Sequence, residues 1–164
     1  MWVKIRELLA IITVLLILVG LPFAVRYYHQ KMILENYGSD VQVFDLYASA
    51  TGGKWITEPV NGTNYWWKNF QNCDTLKVEL GKPVVFRITS TDVLHSFAIP
   101  SIRELRKPID IEPGRWHEVS FMPEEEDVFS FLCWQFCSDH HESMHGEISV
   151  VDAPQRNFDQ KSIK

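Results

Sequence analysis

The chain has little cysteine: three residues in 164, at positions 73, 133 and 137. It has no internal repeat and no low-complexity linker, which sets aside solenoids and tethered arrays. Nor does it carry an excess of positive charge. Lysine and arginine number 16 against 21 aspartates and glutamates, a net charge of −5. With Lys4, Arg6 and Glu7 set aside, the remainder holds 14 basic and 20 acidic side chains, a net −6. That balance argues against a nucleic-acid partner and suits either a basic protein partner or a merely solvated acidic surface. Charge is missing altogether from Leu8 to Val25, LLAIITVLLILVGLPFAV, where Thr13 is the only hydroxyl in 18 positions.

An apolar run of that length sits at the short end of what crosses a bilayer as a helix. A cleaved signal peptide is the competing reading. No small-x-small site follows the run, however, and it is long for a signal core. A lipoprotein processing site needs a cysteine at its end, and the first here is Cys73. The run is therefore expected to be an uncleaved, single-pass anchor. Lys4 and Arg6 before it are balanced by Arg26 and Lys31 after it, so flanking charge does not orient it.

What is present beyond the anchor is strand-like. Aromatic residues make up 13% of the chain, a share that suits a β-rich core. Tyr27 to Asn36 reads as a short helical extension ending at Gly38. Period-two runs then follow at Val41–Ala48, Thr75–Leu80, Val84–Thr89, Trp116–Phe121, Val128–Cys133 and Glu147–Val151, with HSFAIP between them. Turn signals such as GKP and EPG separate them, which predicts an antiparallel sandwich or Greek-key barrel. The expected organisation is an anchor with its extension over 1–38, a β domain over 39–152 and a polar tail over 153–164. The acidic stretch Glu124–Asp127 is expected to be a solvated turn.

The chemistry is concentrated in FLCWQFCSDHHESMHGEISVV, residues 131–151. Two cysteines, three histidines and a methionine fall within thirteen positions, from Cys133 to His145. A disulfide between Cys133 and Cys137 would close a very short loop and leave the histidines unexplained. A zinc site could take Cys133, Cys137, His141 and the upstream His95, but gives Met144 no part. A single blue copper wants one cysteine, two histidines and a weak methionine, and here a second cysteine is inserted. Two facing thiolates can instead bridge a pair of coppers, each capped by one histidine. That arrangement uses Cys133, Cys137, His95, His141 and Met144, and is the most economical of the four. His140, His145, His117 and His29 are expected at the surface, Cys73 as a lone thiol, and Asp92 as a turn residue or a support for His95.

The pattern Cys133-x-x-x-Cys137-x-x-x-His141-x-x-Met144 resembles the dinuclear CuA motif of the cytochrome c oxidase subunit II family. ITSTDVLHSFAIP (Ile88–Pro100) is similar to that family's first-histidine segment, and KPIDIEPGRWHEVSF (Lys107–Phe121) to the block that follows it. The resemblance covers Thr75 to Val151 together with the anchor, and the CWQFC wording looks most like the compact B-type oxidases. It implies a cupredoxin-like Greek-key β-sandwich behind one transmembrane helix. It also implies two coppers bridged by Cys133 and Cys137 and capped by His95 and His141. Met144 would bind one copper weakly, and the Gln135 backbone carbonyl the other.

The chain also departs from the family. Many members have glutamate where Gln135 stands, and its side chain helps bind magnesium or manganese; a neutral amide argues against that second metal here. Ser138 stands where glycine is usual, a change that alters the φ preference of a tight loop. The family's aromatic stretch for receiving electrons has only a loose echo in NYWWKNF (Asn64–Phe70).

The resemblance further implies electron transfer from a soluble cytochrome c or small copper protein to a haem-copper subunit I in the membrane. The copper domain would then face the periplasmic or outer side, with the N-terminus in the cytoplasm. No C-x-x-C-H stretch and no multi-helix body is present, so oxygen reduction would fall to the partner. Two alternatives share these residues. One is the same role in a nitric oxide reductase of the superfamily; the other is a membrane-tethered copper delivery protein, from which the metal would leave readily.

Overall fold

The computed structural model describes residues 2–60, 64 and 68–152. It divides into two compact units, Met1–Ser39 and Asp40–Lys164. The first is a single helix, α1 (Trp2–Tyr37), running without a break through the expected extension. Its 36 residues make a rod of roughly 54 Å, well beyond the ~30 Å hydrocarbon core. The most apolar 18-residue window has a mean hydropathy of 2.9, so the helix is long and apolar enough to cross a membrane. Its lone apolar-segment hydroxyl is satisfied within the helix, Thr13 Oγ1 donating to the Leu9 carbonyl at 2.8 Å. Pro22 lies in the helix interior and lacks the N–H that would reach Leu18.

The second unit is a β-sandwich. Strands β1 (Gln42–Ser49), β2 (Lys54–Ile56), β3 (Thr75–Glu79), β4 (Val84–Ser90) and β5 (His95–Phe97) are followed by β6 (Ile109–Ile111), β7 (His117–Phe121), β8 (Val128–Leu132) and β9 (His145–Val151). One sheet has the order β2-β1-β4-β7 and a second the order β3-β9-β8, with β5 and β6 as a separate pair. Alternation places one face of each strand inward. Leu46, Phe86, Ile88 and Val119 from the first sheet meet Leu76, Val78, Phe131, Ile148 and Val150 from the second in one core. Each such large side chain contributes about 1.5–3 kcal/mol by leaving water.

Two features depart from the sequence expectation. The pairing is not wholly antiparallel, because β1 runs parallel to β4 and β3 parallel to β9. Both are crossover pairs, the Greek-key return that period-two patterns cannot reveal. Strands β2 and β6 also escaped the pattern, since three residues are too few to show alternation. The sandwich expected from the resemblance is otherwise the one observed. The polar tail lies outside the described residues, as do Tyr65, Trp66 and Trp67 of NYWWKNF.

Trp55, Phe86, Phe97 and Phe131 pack ring to ring at one end of this core, with centroids 5.5–5.9 Å apart for the Trp55–Phe97, Trp55–Phe131, Phe86–Phe97 and Phe97–Phe131 pairs. Edge and tilted contacts of this kind add to area burial. They form the floor on which the cysteine-bearing loop rests.

Candidate metal centre

Two segments that are 38 residues apart in sequence meet because of a single backbone bridge. Ala98 and Leu132 exchange N–H···O bonds of 3.1 and 3.0 Å, extending β5 alongside β8. Continuing past that bridge, His95 and Ser96 come to lie beside Cys133 and Trp134. The loop 133–144 is closed at its neck by Cys133 N–H donating to the Met144 carbonyl at 3.0 Å. The same carbonyl accepts the buried indole N–H of Trp55 at 3.2 Å. A short 3₁₀ turn, His141–Ser143, then leads into β9.

All six residues singled out from the sequence converge in this space. Cys133 Sγ lies 3.9 Å from His95 Nδ1 and 3.2 Å from the Gln135 carbonyl oxygen. Cys137 Sγ lies 3.7 Å from His141 Nδ1 and 3.8 Å from Met144 Sδ. The His95, Cys133 and Cys137 donor atoms are all within 4.8 Å of one another. The two sulfurs are therefore central, with one imidazole beside each. Among the described residues, His140 and His145 are exposed, and His145 Nδ1 lies 3.3 Å from the Glu142 carbonyl.

The donors are held before any metal arrives. The Asp92 carboxylate accepts from His95 Nε2 at 2.9 Å, which leaves Nδ1 for the sulfur side. Asp92 itself is fixed by Ser49 Oγ at 3.1 Å and by the Ala50 and Val93 N–H groups, each at 2.8 Å. The supporting role open to Asp92 in the sequence is thus the one its contacts describe. Ser96 Oγ accepts the N–H groups of Trp134 and Gln135 at 2.8 and 2.9 Å, setting the peptide that aims the Gln135 carbonyl inward.

Ser138 does not need the left-handed conformation, since none of the non-glycine residues described has positive φ. Its hydroxyl donates to the Ala50 carbonyl at 3.1 Å instead. Ser96, Trp55, Ser49 and Ala50 were not legible as site residues. They carry no ligand chemistry, and their partners are 38 to 89 residues away.

Electrostatics follow from this packing. Burial lowers the His95 pKa, but the Asp92 carboxylate and the Cys133 sulfur outweigh it and raise the imidazole to about 9. Burial raises Cys133, yet His95 and the Ser96 N–H bring it down to about 6. Cys137 is pushed up to about 11 by burial and then by the neighbouring Cys133. The directions favour charge on the His95–Cys133 pair over charge on Cys137, because the two opposite charges of that pair offset one another.

The donor set tests well against copper. Two thiol sulfurs and a thioether are soft donors, and two imidazoles are borderline ones. His95, Cys133 and Met144 are almost wholly buried, at 0%, 4% and 1% exposure, so soft donors are gathered away from solvent. Zinc would find four of the donors but would leave Met144 Sδ and the inward Gln135 carbonyl idle.

Comparison with known proteins identifies the family of the chain. Residues 60–151 match the family described as cytochrome c oxidase subunit II, periplasmic domain. The protein from Eremothecium gossypii named cytochrome c oxidase subunit 2 is 39% identical over 71 residues, covering 43% of this chain and 27% of that one. Its counterpart from Pneumocystis carinii is 42% identical over 74 residues, covering 45% and 29%. The match therefore spans less than a third of these relatives' own length. A solved chain from a heme-copper terminal oxidase dimer has a TM-score of 0.52 at 19% identity, over 89% of this chain and 100% of that one. At that identity the likeness speaks for the fold. With more than half of its length matched, the chain belongs to the cytochrome c oxidase subunit II family.

Proposed function

We propose that this chain is the subunit through which electrons enter a haem-copper terminal oxidase, and that it holds a dinuclear CuA centre. Cys133 and Cys137 would hold the copper pair between their sulfurs, with His95 and His141 binding through Nδ1. Met144 Sδ and the Gln135 carbonyl would complete the donor set. The observation that carries this reading is the central pair of sulfurs, each with an imidazole nitrogen within 4 Å. When bound, such a pair supplies a one-electron carrier whose charge is shared over two metals. The chain's own contribution is to keep the donors still. The hydrogen bonds on Asp92, Ser96 and Met144 O fix their supports in advance, so little must rearrange when charge changes. No side chain in the site is placed to take a proton from a substrate.

The rest of the assembly follows from the same reading. Helix α1 anchors the chain in the membrane with its N-terminus in the cytoplasm, and the 39–152 domain faces the periplasmic or outer side. A soluble cytochrome c or small copper protein delivers electrons, and a haem-copper subunit I receives them. The exposed Trp134 and Phe136 flank the site and offer apolar contact area to one of these partners. The test is to load the full chain with copper in detergent and record its EPR spectrum. A mixed-valence pair gives more hyperfine lines than one copper nucleus can. A single-copper pattern, or stable uptake of zinc alone, would remove the bridging role of the two cysteines and the oxidase reading with it.

A further inference from the structure

Ala50, the first residue after β1, is bonded on both sides of its own backbone to the two halves of the site. Its N–H donates to Asp92 Oδ2 at 2.8 Å, and Asp92 in turn holds His95. Its carbonyl accepts the Ser138 hydroxyl at 3.1 Å. Ser138 Oγ accepts the His140 N–H at 3.2 Å, and the Ser138 carbonyl accepts the His141 N–H at 3.0 Å. Both bonds shape the turn that presents His141. The β1–β2 turn meets the same loop a second time, where Gly53 packs against the His140 carbonyl and Ser143 Oγ.

We propose that the β1–β2 turn braces both histidines at once, and that Ser138 is the positioning residue linking the His141 half of the site to Ala50. The inference rests on the assignment of His95 and His141 as ligands, and it needs no titration of either. Two hydrogen bonds to one residue, through its N–H and through the C=O of the next peptide plane, tie the supports of the two imidazoles to the same turn. A displacement on the His141 side is then felt on the His95 side, although no bond joins the two rings. Without the Ser138 hydroxyl the Ala50 carbonyl keeps only its turn bond from the Gly53 N–H, at 3.2 Å, and the two halves relax separately.

The experiment uses the full chain with ¹⁵N-labelled histidine, as parent, Ser138→Ala and Ser138→Thr. In the metal-free protein, Ser138→Ala should move the ring signals of both His95 and His141, and Ser138→Thr should restore them. Movement at His141 alone, or at neither, overturns the brace. In the copper-loaded protein, Ser138→Ala should release metal to a chelator about three- to tenfold faster, the worth of one net hydrogen bond, and Ser138→Thr should release it at the parental rate. Equal release from parent and Ser138→Ala overturns the proposal in that arm. If the parent shows no copper-pair spectrum, the functional reading fails, and the metal-free arm still decides the brace.

Discussion

Asp92 receives four hydrogen bonds on one carboxylate, from Ser49 Oγ, Ala50 N, Val93 N and His95 Nε2. All four partners donate, so an amide in its place must turn an N–H₂ group against at least one of them. Asp92→Asn is expected to weaken copper binding by about 10- to 100-fold, read by competition with a chelator; parental affinity would remove Asp92 from the site's support. Cys73 offers a different test. Burial, and then the Asp74 carboxylate, push its thiol from 9.0 to about 11. The fold therefore holds the neutral thiol. That stabilisation is complete below the unfolded value of 9.0 and is lost as pH rises through about 11. The metal-free parent should lose melting temperature faster than Cys73→Ala between about pH 8 and 11, and parallel curves would show that Cys73 ionises as freely folded as unfolded. At this scale the sequence was informative wherever chemistry is local. The Cys133–Met144 spacing put four of the six donors, Cys133, Cys137, His141 and Met144, in one loop, and Asp92 stands three residues from His95. Ser96 and Trp55 stayed silent, because a hydroxyl or an indole acquires its role only from a distant peptide.

Between the strands, glycines report where two elements touch. Gly53 has φ +59°, and a Cβ built there would overlap the His140 carbonyl oxygen and Ser143 Oγ. Gly114 has φ +73°, with nothing within 4 Å of its Cβ position. Gly114→Ala should therefore cost only the left-handed backbone term of about 1–2 kcal/mol. Gly53→Ala adds a backbone collision, should cost roughly 3 kcal/mol or more, and should also impair copper uptake. Chemical denaturation of the two variants side by side checks the difference, and equal losses would mean that the turn and the loop are not in contact. The longer strands were readable, because five to seven residues show which face is buried: β3 and β9 alternate cleanly. Their partners were not. Whether β1 lies parallel to β4 depends on where the chain returns, which no window of the sequence contains.

For the molecule as a whole, the acidic balance and the long apolar helix make separate demands. The core of the second unit draws only on residues beyond Asp40, so a chain starting at Asp40 is expected to fold and to bind copper without detergent. Aggregation of that chain under conditions where the full chain is well behaved would show that the helix completes the fold. With a net −6 outside the first residues, electron transfer from a basic donor should slow as salt rises, since screening acts over about 10 Å at 0.1 M. Rates flat across that range would remove charge attraction from the encounter.

The ring-packed floor of Trp55, Phe97 and Phe131 gives the site a direction. His95, Cys133 and Met144 rest on it out of reach of solvent, whereas Cys137 and His141 are only partly covered, beside an exposed Phe136. Among the described residues that carry the donors, Cys137 and His141 thus form the more open edge of the site. If the proposed partner subunit sat on that edge, it would also close the site, and copper would have to arrive before it.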